Sequence, residues 1–371
     1  MDINKIYQGD ALSVLQTFPD NSIDMCMTSP PYWGLRDYGV EQIFGGDADC
    51  KHEWGEIRRT LNHKSGETNP GKESWFKDKG ASEDKGNCFC SKCGAWKGQL
   101  GLEPTPEMYI KHMTEIFHEV KRVLKKEGTL WVVIGDTYNA QPAGNKEPNK
   151  FMEQVHQSAR ENTNDPKRST SSSKFKSGLK PKCLCMIPER LAWSMIQDGW
   201  ILRNKNIWYK HNGMPSSVQD RFSNKYEFVY MFSQSQRYYF DLDAVREKTI
   251  WHGEQWGNAG KKLKDANLIS NHEFKDNPAG KNPGDVFEIN TQPFPEAHFA
   301  VYPVKLCEKP IKAGCPKGGI VLDPFSGAGT TCYTAAKLGR DFIGIEISEE
   351  YKAMSEDRIF GPLFKPTRRV K

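Results

Sequence analysis

What this chain lacks narrows its class first. No apolar run approaches the roughly 20 residues needed to cross a bilayer, and the first residues lack the charged-then-apolar pattern of a secretory leader. A cytoplasm is therefore the expected compartment, with no membrane partner. Charge of one sign is missing too: the formal net charge is only +5 over 371 residues, which excludes a polycation. No internal repeat recurs, so a solenoid is excluded. Ten cysteines in a cytoplasm read as thiols or metal ligands rather than disulfides. A hydrophobic content of 37% and a mean hydropathy of −0.70 fit a soluble protein with polar excursions. The length allows one large domain with insertions, or two domains.

Two stretches stand out. The first is Met27-Thr28-Ser29-Pro30-Pro31-Tyr32-Trp33, after a short apolar run from Ile23. Two prolines forbid helix and ladder continuation, so the chain must leave the strand as a stiff turn. Carbonyls there stay free to accept, the Ser29 hydroxyl adds a polar group, and Tyr32 and Trp33 add flat faces. Such a set suits a flat ring that carries an amino group. Read blandly, it is a proline turn with an aromatic packed on it. The second stretch, Asp323-Pro324-Phe325-Ser326-Gly327-Ala328-Gly329-Thr330-Thr331, also follows an apolar run. Backbone N–H groups at a strand-to-helix loop can hold an anion. The loop lacks the lysine of a triphosphate-binding loop and the third glycine of a dinucleotide fingerprint. Glu346 ends the next strand, where a carboxylate can take both hydroxyls of a ribose; the plainer reading is a solvated strand-end acid.

In this order the pair resembles the amino-methyltransferases of DNA, which carry a (Ser/Asp/Asn)-Pro-Pro-(Tyr/Phe) loop and a glycine-rich loop for S-adenosylmethionine. The catalytic loop comes first, as in the circularly permuted β group. The resemblance runs from Ile6 to about Arg358. It implies a Rossmann-like α/β fold with a mixed, mostly parallel seven-stranded sheet. It also implies that Ser29, Pro30, Pro31 and Tyr32 form the catalytic loop. Asp323 and the Gly327–Thr331 backbone (Gly327, Gly329, Thr330, Thr331) would hold the methionine end of the cofactor and Phe325 would border it. Asp10 and Ala11 would meet the adenine, and the Asp10 strand would lie beside the Glu346 strand. The stretch at His298-Phe299 would help close the pocket.

By the same resemblance, residues 1–38 and 101–138 form the catalytic half of the core, 183–245 its edge strands, and 293–360 the cofactor half. Between them lie three polar stretches and a basic tail, 361–371. Residues 39–100 contain Cys50, His52, Cys90 and Cys93, a Cys₃His set with C-x-x-C spacing. A segment with so little core needs folding energy from elsewhere, and four ligands make the zinc structural. The alternative is a cluster of reduced thiols, and Cys88 is a spare. Residues 139–182 hold nine Lys or Arg against four acids, a solvated linker or an arm that meets phosphates. Residues 246–292, with Trp251 and Trp256, are a possible target-recognition region. Among local elements, Thr105-Pro106-Glu107 opens a helix that closes at Lys125-Lys126 and Gly128.

The implied partner is double-stranded DNA whose target base leaves the helix and stacks on Tyr32, with a possible cognate restriction endonuclease in a prokaryotic or phage-infected cell. Carbon-5 methylation needs a nucleophilic cysteine in a Pro-Cys context, and that dipeptide does not occur. Family members with Ser at the first loop position mostly act on cytosine N4, and those with Asp on adenine N6. Ser29 therefore points to N4, with N6-adenine as the alternative. An RNA or protein-amide methyltransferase and an inactive zinc-dependent nucleic-acid-binding module are the remaining alternatives. The sequence specifies no oligomeric state.

Overall fold

A computed structural model describes residues 1–54, 88–139, 178–213, 215–248, 278–292 and 302–361. The strands are β1 (Lys5–Gln8), β2 (Ile23–Thr28), β3 (Gln42–Phe44), β4 (Trp96–Gly98), β5 (Leu124–Ile134), β6 (Ile201–Tyr209), β7 (Tyr226–Ser233), β8 (Val286–Glu288), β9 (Ile320–Asp323) and β10 (Asp341–Glu346). The helices are α1 (Ala11–Leu15), α2 (Pro106–Val123), α3 (Ile187–Gln197), α4 (Val304–Gly314), α5 (Thr330–Lys337) and α6 (Glu349–Phe360).

Alternation along the strands sends apolar side chains to both faces of one sheet. In β5, Leu130, Val132 and Ile134 pack with the stripes of α2 and α3 (Met113, Phe117, Leu191). Trp131 and Val133 pack on the opposite side with α4 and α5 (Leu306, Ile311, Ala335). The sheet is thus covered twice, as an α/β methyltransferase sheet is expected to be. Among the described residues it has eight strands in the order β1-β10-β9-β2-β5-β7-β6-β8, one more than the seven expected. β7 runs antiparallel to β5 and β6. The additional β8 pairs parallel with β6 and takes the edge.

One local expectation changes. Helix α2 begins as expected, with the Thr105 hydroxyl accepting the Met108 N–H at 3.3 Å, but it ends at Val123 and not near Gly128. Leu124 is already extended and pairs with Ile23. Lys125 donates to Asp24 Oδ1 at 2.7 Å, while Asp24 Oδ2 accepts the Ile320 N–H at 2.9 Å. The strand partner therefore overrides the helical tendency of Lys125-Lys126. Helix α4 was not legible, because Pro310 sits inside it.

Strands β2 and β9 are neighbours, with Met25 opposite Val321 and Cys26 opposite Leu322. From this seam the chain winds away through α2 toward β5 and through α5 toward β10, which makes it a topological switch point. In open α/β sheets, ligands bind beyond the carboxyl ends of strands at such a point. Both conspicuous loops leave from there. The last described strand closes on the first, with Gln8 opposite Glu346. The His298-Phe299 stretch, Trp251 and Trp256, and nearly all of the basic segment (140–177) lie outside the described residues.

Candidate active site

At the end of buried strand β2 the prolines turn the chain out of the sheet, and Tyr109 donates to the Pro31 carbonyl at 2.8 Å to hold the turn down. Ser29 Oγ donates to Tyr32 Oη at 3.4 Å, and Tyr32 Oη donates to Glu227 Oε2 at 2.9 Å. Glu227 is in turn paired with Lys210, whose ammonium lies 4.0 Å from the Trp208 ring centre. Burial, and then the Glu227 charge, push the Tyr32 phenol well above its ordinary pKa, so it stays a neutral donor. Tyr32 sits against Gly135, where a Cβ would come within 2.8 Å of its ring. Trp33 departs from expectation. It is buried, with its indole N–H bonded to the Glu103 carbonyl at 3.0 Å, so only Tyr32 offers a face.

Glu227 and Lys210 were missed in the sequence. Their signal was a charge in the apolar run Tyr226-Glu-Phe-Val-Tyr and a lysine immediately after strand β6; only the hairpin brings them together.

Across the seam the glycine loop joins β9 to α5. Glu346 Oε2 accepts the Gly327 N–H and Oε1 the Ser348 N–H, each at 2.8 Å. Each oxygen keeps a further lone pair, and burial raises the carboxyl pKa above its ordinary value. Asp10 caps α1, with Oδ1 accepting the Ser13 N–H at 2.8 Å. Gln42 donates to its Oδ2 at 2.7 Å.

One cavity of about 1010 Å³ spans both loops. Of the residues implicated by sequence, Ser29, Pro30, Pro31 and Tyr32 line it, and opposite them lie Asp10, Ala11, Phe325, Gly327, Thr330 and Glu346. Asp323, Gly329 and Thr331 do not line it. Asp323 is fully buried, accepting from Thr28 Oγ1 at 2.6 Å, Phe325 N–H at 3.1 Å and Tyr302 Oη at 3.2 Å. Thr331 donates to the Met27 carbonyl at 3.2 Å. These contacts bolt the glycine loop to β2, the strand that leads into the Ser29–Tyr32 loop.

A second constellation lies apart from this cavity. The ligand atoms of Cys50, His52, Cys90 and Cys93 all fall within 4.8 Å of one another. Cys50 and Cys90 sulfurs are 3.9 Å apart, and Cys93 Sγ is 3.4 Å from His52 Nδ1. The edge of a zinc tetrahedron with sulfur ligands is about 3.8 Å, so the set fits that ion. Burial works against the Cys90 thiolate, but backbone N–H groups of Cys93 and Lys92 and the His52 ring outweigh it, and the thiol falls to about 6. Cys88 is not part of the set.

The geometry agrees with comparisons to known proteins. A family profile described as DNA methylase matches residues 23–357. The type II methyltransferase M.Cfr9I of Citrobacter freundii is 32% identical over 356 residues, 96% of this chain and 87% of that protein. The type II methyltransferase M.SmaI of Serratia marcescens is 31% identical over 355 residues, 96% of this chain and 90% of that protein. Among solved structures, the PvuII DNA methyltransferase (cytosine-N4-specific) superposes with a TM-score of 0.53 at 17% identity, covering 98% of this chain and 92% of that one, and so shares the fold. With both loops at one seam of a doubly covered sheet and relatives of this extent, the chain belongs to the DNA methylase family, the S-adenosylmethionine-dependent amino-methyltransferases of DNA.

Proposed function

We propose that this chain methylates the exocyclic N4 of cytosine in double-stranded DNA, with the base flipped into the cavity beside Ser29. The observation that carries the reading is the Ser29 hydroxyl, which stands where a carboxylate would stand in most adenine-directed relatives and which lines the cavity opposite the glycine loop. S-adenosylmethionine, when bound, supplies an electrophilic methyl group on a sulfonium. The work of the chain is to hold and aim the amino group. An exocyclic amino nitrogen shares its lone pair with the ring and is a poor nucleophile. Hydrogen bonds from that group to Ser29 Oγ and the Pro30 carbonyl pull the nitrogen toward a tetrahedral shape and free the pair. Ser29 spends its own hydrogen on Tyr32, and Glu227 accepts from Tyr32. The lone pairs of Ser29 therefore face the cavity as acceptors. Lys210 balances the Glu227 charge. The ring of Tyr32, fixed by its hydroxyl, serves as the stacking plate for the flipped base.

We further infer that Glu346 binds the ribose hydroxyls, with Phe325, Gly327, Thr330, Asp10 and Ala11 bordering the same cofactor, and that Cys50, His52, Cys90 and Cys93 hold one structural zinc. Relatives named type II methyltransferases support a cognate restriction endonuclease as a partner.

The experiment is methylation of unmodified duplex DNA with isotope-labelled S-adenosylmethionine, followed by digestion to nucleosides and mass spectrometry. N4-methylcytosine is the expected product. N6-methyladenine would transfer the reading to the other base of the family, and 5-methylcytosine would overturn the assignment of the loop.

For the cofactor, Glu346→Gln keeps the size of the side chain but removes the charge and one of two acceptors. Its dissociation constant for S-adenosylmethionine, measured by calorimetry, should rise on the order of tenfold, the scale of one charged hydrogen bond. An unchanged constant in a folded variant would remove Glu346 from the pocket.

A further inference from the structure

We propose that the four-ligand metal module builds one wall of the cofactor pocket, so that loading the metal sets the affinity for S-adenosylmethionine. The proposal rests on the reading of the cavity as the cofactor site. It begins with two short strands. β3 and β4 form a separate two-stranded sheet, with Gln42 opposite Gly98 and Phe44 opposite Trp96. At one end of this ribbon lie the ligands: Cys50 and His52 beyond β3, Cys90 and Cys93 before β4. At the other end the chain lines the cavity, through Tyr38 and Val40 just before β3, Gln42 at its start, and Gln99 and Leu100 just after β4.

The cavity end is tied by two glutamines. Gln42 donates to Asp10 Oδ2 at 2.7 Å, across to the strand end where the adenine would sit. Gln99 Oε1 accepts the Tyr38 N–H at 2.7 Å, and its amide donates to the Arg36 carbonyl at 3.0 Å. The position of residues 36–40 is thus set by Gln99, and Gln99 directly follows β4. The ribbon rests on the core through His112, whose ring stacks on Phe44 at 4.4 Å and on Trp96 at 5.7 Å between ring centres. His112 is pinned by the buried Glu103 carboxylate at 3.0 Å.

Three-residue strands in a two-stranded ribbon are marginal on their own. What joins their far ends is the ligand cluster. Gly46, with φ of +79°, packs so closely that a Cβ would meet Ala95 Cβ at 2.6 Å and Cys93 Sγ at 2.8 Å. A tetrahedral ion there converts two loops into one rigid unit and supplies the ordering energy that the small apolar contact does not. Without it, the wall is in its binding-competent arrangement only part of the time. The apparent dissociation constant rises by the inverse of that fraction.

The test uses the full chain purified without chelator. Metal content is read by mass spectrometry, S-adenosylmethionine affinity by calorimetry, and folding by circular dichroism. About one zinc per chain is expected. Removing it with a chelator should raise the dissociation constant on the order of tenfold, and adding zinc back should restore it. Gln42→Ala should keep the zinc yet weaken the cofactor several-fold, because it breaks the tie and not the clamp. That variant decides the matter if the chelated chain unfolds. Absence of zinc from the purified chain, an unchanged constant in a folded chelated chain, or an unchanged constant in Gln42→Ala would each overturn the proposal. A zinc-loaded chain that does not bind S-adenosylmethionine at all would instead strike down the cofactor reading beneath it.

Discussion

Ser29→Ala should cut the rate of methyl transfer on the order of a hundredfold while leaving S-adenosylmethionine affinity nearly unchanged. In the proposed reading the hydroxyl lies on the base side of the cavity, so its removal costs an interaction that is strongest as the amino nitrogen becomes tetrahedral. Single-turnover rates with saturating cofactor, set beside calorimetric affinities, separate the two effects. Tyr32→Ala should behave differently. Losing a stacking face worth about 1–3 kcal/mol weakens capture of the flipped base. A mismatched target, already half unpaired, should recover part of that loss. Full activity in Ser29→Ala would mean that another group accepts the hydrogen bonds of the amino group.

The largest effect on stability should come from Asp323→Ala. Three donors point at this buried carboxylate, from Thr28, Tyr302 and Phe325. Removing it strands them without water, at a cost of about 3 kcal/mol or more. A denaturant midpoint well below that of the parent chain is expected. Asp323→Asn should lose much less. Burial raises the carboxyl pKa above its ordinary 3.8, so the folded chain favours the protonated form. The stability from that protonation is complete below about 3.8 and fades as pH climbs through the raised value. Asparagine copies the uncharged state, so its denaturant midpoint should also vary less with pH than that of the parent. Equal midpoints for the Asp323→Ala variant and the parent chain would show that the bolt between the two loops carries no load.

Much of this was legible because the informative residues are ones whose backbone demands are strict. The proline pair after β2 and the glycines before α5 mark strand ends in any context, and Glu346 follows from the length of one helix and one strand. Trp33 was misread because an aromatic beside a catalytic loop looks the same in sequence whether it faces a ligand or the core; only the Glu103 carbonyl decides. Asp323 was misplaced for a similar reason. The last residue of a strand can point up to a cavity or across to a neighbour, and the neighbour here is Thr28, from the other end of the chain. Glu227 and Lys210 belong to a hairpin pairing, which local periodicity does not encode. The early end of α2 reflects competition between helix propensity and a strand partner, and that partner is known only once the sheet is assembled.

The pairing of the first strand with the last has a consequence for synthesis. Among the described residues β1 has no sheet neighbour except β10, and Asp10 and Glu346 border the same cavity. A ribosome adding about 5–20 residues per second delivers Glu346 tens of seconds after Asp10. Throughout that interval the Ser29–Tyr32 loop exists but the cavity has only one side. In the proposed reading of the cavity, the emerging chain is therefore held off S-adenosylmethionine until translation is almost finished, and a product that stops short of β10 would carry Ser29 with nothing to methylate with.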